Sequence, residues 1–164
     1  VYYTPSPDHA YDSIQYIMNG VAFGWLIRGM HHWGASLMVL VVFIHMLRTF
    51  FSASYKYPRE LTWIAGSVLF LLTLGMGFTG YLLPFNQRAY WATVVATNIG
   101  GVVPGAGPFI LRALRGGSDV SALTLSRFFS AHIWGLPLIL AAVIGLHLYL
   151  IMRHGESAYP DADD

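Results

Sequence analysis

The sequence predicts an all-α integral membrane protein with three spans, and three observations carry that reading. Only 10% of its 164 residues are charged, while 55% are hydrophobic. Soluble domains carry about 25% charged residues, so this chain cannot cover a water-facing surface of its size. Three stretches, 32–51, 61–83 and 128–152, are long and apolar enough to cross a bilayer, which takes about 20 helical residues. Their strongly polar interruptions are histidines and Arg48. A lone strand in lipid would leave its backbone groups unpaired, so each stretch is read as a helix.

The connections differ. Ahead of the first span, residues 11–18 place Ile14, Ile17 and Met18 at helical spacing, as in an interfacial helix. A polar turn, 52–60, with Lys56, Pro58 and Arg59, joins the first two spans. A long link, 84–127, joins the second and third, and two short helices are expected in it, at 89–99 and 108–115. A link of this length without a core of its own is usually functional. The tail 157–164 reads as a plain acidic end. The polar start at Val1 reads as the middle of something longer, with sequence expected upstream. The whole, 1–164, is taken as one membrane domain.

Formal net charge is +1, which gives no reason to expect nucleic acid. Absence of cysteine excludes disulfides, iron–sulfur ligation and thioether-linked cofactors within the chain. Orientation is not set by charge. Arg48, Lys56, Arg59 and Arg153 fall on one side, and Arg28, Arg88, Arg112, Arg115 and Arg127 on the other.

The histidines are the informative residues. His31 and His45 bracket the first span fourteen residues apart, and His132 and His147 bracket the third, fifteen apart. Fourteen helical steps fall about 40° short of whole turns and fifteen overshoot by about 60°. Each pair therefore shares roughly one face, about 21–22 Å apart along the axis. One span intervenes, so the first and third run in the same direction. His31 and His132 then share one membrane level, and His45 and His147 the other. Two levels with two imidazoles each suit two six-coordinate haems, whose filled axial positions favour electron transfer.

A single intramembrane histidine can serve only to hydrogen-bond a neighbouring helix. Two matched pairs are much harder to explain that way. His32 has no partner at this spacing and reads as an interface residue; His9 and His154 lie outside the spans. Gly66 and Gly80, also fourteen apart, would let a flat macrocycle approach the second span at both levels, although glycine is common in membrane helices. Arg28, Arg48 and Arg127 flank the ligands, where arginine pairs with carboxylates such as haem propionates. Interfacial snorkelling is the plainer alternative.

These residues resemble the cytochrome b family of quinol–cytochrome c and quinol–plastocyanin oxidoreductases, over nearly the whole chain. "IRGMHHWGAS" with "IHMLR" is similar to that family's second helix, and "GYLLPFNQRAYWATVVATN" to its third helix end and following loop helix. "LTLSRFFSAHIWGLPL" with "GLHLY" is similar to its fourth helix. The fifteen-residue histidine interval, the run "YKYPRELTW" and the early stop resemble the cytochrome b6 branch.

The resemblance implies two non-covalent b-type haems, one on His31 and His132 at the quinol-oxidation side, the other on His45 and His147. It implies propionate-side roles for Arg28, Arg48, Arg127 and Trp63, and haem contact at Gly66 and Gly80. It implies a quinol pocket wall formed by Tyr81 and the loop helix with Trp91, Ala92, Val95 and Asn98. One quinol electron would pass to a Rieske iron–sulfur protein, and the other would cross the membrane to a quinone, with proton translocation coupled to it. The implied partners are that Rieske protein, a c-type cytochrome and a second membrane subunit completing the pocket, in a dimeric complex. The implied location is a bacterial plasma membrane, or a thylakoid or other energy-transducing membrane.

Departures are visible. The family's first membrane helix is not present, and in the b6 branch it bears the cysteine of an extra haem, on which this chain is silent. Ala92 stands where mitochondrial forms carry glycine, and Met152 beside Arg153 reduces a usual basic pair. Two rival readings are a di-haem anchor of another quinone-linked enzyme and a pigment-binding membrane protein. "LLPFNQRAYW" argues against the first, and an absorption spectrum would separate the second.

Overall fold

The computed structural model describes residues 2–155, and every regular element among them is helical. Val1 and the acidic tail 157–164 lie outside the described residues. An interfacial helix, α1 (Ala10–Gly20), packs on α2 (Gly24–Phe51) and buries Ala10. Helix α2 begins well before residue 32, because Trp25, Leu26 and Ile27 extend its apolar run. Arg28 and His31 therefore sit inside the helix rather than ahead of it. The second span, α3 (Glu60–Leu82), opens with Glu60 in its first turn, where an acid suits the helix dipole.

The third span is continuous over Ala122–His154 but is not one regular helix. It begins at α6 (Ala122–Ser130), where Ser121 and Thr124 form a reciprocal capping box. A π turn follows over Ala131–Gly135, and then α7 (Leu136–His154). The cause is Pro137, which lacks an N–H and whose ring crowds the carbonyl four residues back, at Ile133. The widened turn relieves that crowding, and the Leu136 N–H reaches the Ala131 carbonyl instead.

Helix α3 is the shared wall. Both α2 and α7 pack on it, but α2 makes no close backbone approach to α6, the π turn or α7. The two histidine-bearing spans thus stand apart across a gap floored by α3.

The link was expected to lack a core, and it has one. Its helices, α4 (Gln87–Gly101) and α5 (Gly107–Arg115), pack together and join α3 and α6. Asn86 caps α4 by accepting from the Ala89 N–H at 2.9 Å. Ala10, Leu82, Val120, Leu125 and Phe128 form an apolar cluster beside them, sealed by Tyr3, Phe85 and Tyr90. The spans bury almost nothing within the chain, as lipid-facing helices should.

Candidate functional site

His31 projects from α2 and His132 from the π turn, with ring centroids 6.1 Å apart and planes at 75°. An imidazole nitrogen binds a first-row metal at about 2 Å, so this separation admits one atom between two facing rings. His45 and His147 meet at the other level, within electrostatic reach of each other across one cavity. The pairing inferred from parallel spans is the pairing in the fold.

The π turn also resolves the unequal intervals. A π bulge accommodates about one additional residue without changing the helix's course. The fifteen residues from His132 to His147 then behave as fourteen, matching His31 to His45. The proline inside the apolar span is the sequence signal for this turn.

Both glycines sit beneath the imidazoles. A Cβ on Gly80 would fall 2.6 Å from His132 Cε1, and one on Gly66 would fall 3.1 Å from His147 Cε1. Two arrangements follow for the Nδ1 atoms. Thr79 Oγ1 lies 3.2 Å from His132 Nδ1. His147 Nδ1 is buried against the Thr62 backbone and has no side-chain hydrogen-bond partner.

The level of His45 and His147 opens into a cavity of ≈ 480 Å³. Leu69, Leu140 and Ile144 line its apolar part, and Arg48, Ser52, Ser54, Arg59 and Trp63 line its polar end. The splayed spans, the glycine floor and the imidazole pairs fit a haem, with one charged edge to take its propionates. Arg59 was missed as a site residue; its Nε donates to the Gly155 carbonyl at 3.1 Å, from the turn before α3. Arg28 instead reaches Met18 Sδ at 3.5 Å, and Arg127 Nη1 donates to the Ala113 carbonyl at 2.9 Å. A guanidinium has five donors, so neither contact exhausts its arginine.

The predicted wall residues share one face. Trp91, Ala92, Val95 and Asn98 are exposed along α4, with Tyr81 exposed at the end of α3, while Ala89, Thr93 and Thr97 face inward. Behind them lies Arg115, only 5% exposed. It donates to Thr97 Oγ1 at 2.8 Å, Asn98 Oδ1 at 2.8 Å, the Val94 carbonyl at 3.0 Å and the Ser118 carbonyl at 2.8 Å. Its own carbonyl accepts from Thr124 Oγ1 at 2.6 Å. Nothing in the sequence distinguished Arg115 from the other basic residues of the link.

Residues 1–155 match the family described as cytochrome b/b6/petB. The chain belongs to the cytochrome b family. It is 46% identical over 158 residues to the menaquinol:cytochrome c reductase cytochrome b subunit of Geobacillus thermodenitrificans, covering 96% of this chain and 70% of that one. It is 46% identical over 156 residues to cytochrome b6 of Mastigocladus laminosus, covering 95% and 73%. Identity reaches 49% over 157 residues with the cytochrome bc complex cytochrome b subunit of Chlorobaculum thiosulfatiphilum, across 96% of this chain but 36% of that protein. A solved chain of a hyperthermophilic respiratory Complex III superposes with a TM-score of 0.90 at 36% identity, over 99% of this chain and 45% of that one. With its three apolar spans, this cytochrome b chain is an integral membrane protein of electron transport, and the family binds b-type haem.

Proposed function

We propose that this chain is the di-haem subunit of a quinol:cytochrome c or quinol:plastocyanin oxidoreductase. The observation that carries this reading is the pair of imidazole levels across a gap floored by Gly66 and Gly80. His31 and His132 hold one haem, and His45 and His147 the other. When bound, the two haems supply one-electron redox stops across a hydrocarbon layer about 30 Å thick.

The chain's own residues do the rest. The glycines let the macrocycles lie against α3, and the apolar lining excludes water. Arg48, with Trp63 and the newly found Arg59, holds the propionate edge at the His45 level; Arg28 and Arg127 serve the other with their remaining donors. Tyr81 and the exposed face of α4 form one wall of a quinol pocket. Quinol oxidation also needs a proton acceptor, and α4 carries no carboxylate. Asp119 is engaged by the Ser118 hydroxyl at 2.8 Å. A second membrane subunit must therefore complete the pocket, with a Rieske protein and a c-type cytochrome receiving the other electron.

Haem content tests this directly. The intact protein should yield two haems in a pyridine haemochrome assay, both extractable by acid–acetone because the chain has no cysteine. Clearly fewer than two would overturn the reading. The haem-loaded chain alone should be reducible by dithionite yet show no turnover with quinol and cytochrome c.

A further inference from the structure

The two levels differ in the residue that precedes the glycine beneath each imidazole. Thr79 precedes Gly80 on α3, and Ala65 occupies the same place before Gly66, fourteen residues earlier. Thr79 is buried and its hydroxyl lies 2.9 Å from the Gly75 carbonyl and 3.2 Å from that of Met76. A hydroxyl has one proton. With that proton given to a backbone carbonyl, Thr79 Oγ1 can only accept from His132 Nδ1, 3.2 Å away. His132 then carries its proton on Nδ1 and keeps Nε2 bare, as a metal ligand requires. At the other level Ala65 has no hydroxyl, and His147 Nδ1 has the Thr62 backbone beside it but no side-chain partner.

We propose that Thr79 is a positioning residue that fixes the tautomer of His132 and lowers the potential of the haem which that histidine holds. An acceptor on the outer nitrogen of a ligating histidine raises the ligand's basicity. A more basic axial ligand favours the oxidised iron, which lowers the potential. The π turn and Gly80 contribute by bringing the His132 ring against α3, within reach of this hydroxyl.

The inference rests on the two-haem reading, and a wild-type haem count below two would remove that reading before any variant is compared. The test is an optically monitored redox titration of the intact isolated complex carrying T79A, T79S or A65S. T79A should raise the midpoint of one haem and leave the other in place, while T79S should keep both near wild type. A65S should lower the second haem's midpoint by adding a hydroxyl acceptor beside His147. Unchanged midpoints in T79A, as when the nearby Met76 carbonyl replaces Thr79, would overturn the proposal, as would a T79S that moves as far as T79A. Where T79A fails to assemble, A65S decides alone, and no fall in its midpoint counts against the idea.

Discussion

The long link and the three spans solve the same problem in opposite ways. The link buries polar groups and satisfies them: Thr93, Thr97 and Arg115, with Thr124 at the adjoining start of the third span, are all nearly or wholly shielded, and each is hydrogen-bonded. The spans bury few groups and leave their apolar surfaces outward, and α2 stays apart from the third span although both pack on α3. One region is rigid through its own contacts. The other keeps its two histidine-bearing spans apart on either side of α3. The contrast shows how an internally bonded link can be joined to a gap between spans in one chain.

The sharpest way to break that contrast is Arg115→Met. It leaves two carbonyls and two side-chain oxygens without their donor, and each buried unsatisfied group costs about 1–3 kcal/mol. Helix α4 should lose its anchorage, seen as much faster proteolysis within the link, while the haem spectrum persists. Equal loss of both haems would mean that the two regions are not separable.

A smaller effect is expected within the spans. Gly80→Ala forces the closer approach to an imidazole, 2.6 Å against 3.1 Å for Gly66→Ala, and such overpacking costs about 1–3 kcal/mol. G80A should therefore deplete one haem more strongly than G66A depletes the other, by haemochrome assay. Equal retention would show that the glycines are ordinary membrane-helix residues.

The smallest effect concerns the N-terminal strap, which fastens to the junction of the two regions. Tyr3 donates to the Leu83 carbonyl at 2.6 Å, and burial pushes its phenol up from 10.0 to about 12. A raised folded-state pKa means that the proton is held more tightly when folded. The stabilisation is full below about 10 and is lost as the pH rises through about 12. Tyr3→Phe should cost about 1 kcal/mol and remove a tyrosinate absorbance step near that upper pH. A wild-type protein whose tyrosines all ionise near 10 would contradict the anchoring.

The spans, their histidines and their pairing were legible in the sequence because period, length and polarity act locally. The exposed face of α4 was legible through resemblance, since Trp91, Val95 and Asn98 fall on one helical stripe. Less local features were hidden. The earlier start of α2 came from an apolar run that merges with the interface, where length arguments lose their edge. The π turn depends on one proline acting against a carbonyl four residues back. Arg115 and Thr79 become informative only when tertiary packing brings Thr97, Asn98 and His132 to them. Arg59 lies in a turn, and only folding brings it to the cavity's polar end.

Which histidines share a level is measured most directly by a matched set of ligand variants. His31, His45, His132 and His147 are each replaced in the intact complex, and reduced-minus-oxidised spectra are resolved into two b-type components by redox titration. The account predicts that H31A and H132A remove one and the same component, while H45A and H147A remove the other. A shared loss in H31A and H147A would contradict it, because the first and third spans could not then run parallel across the gap.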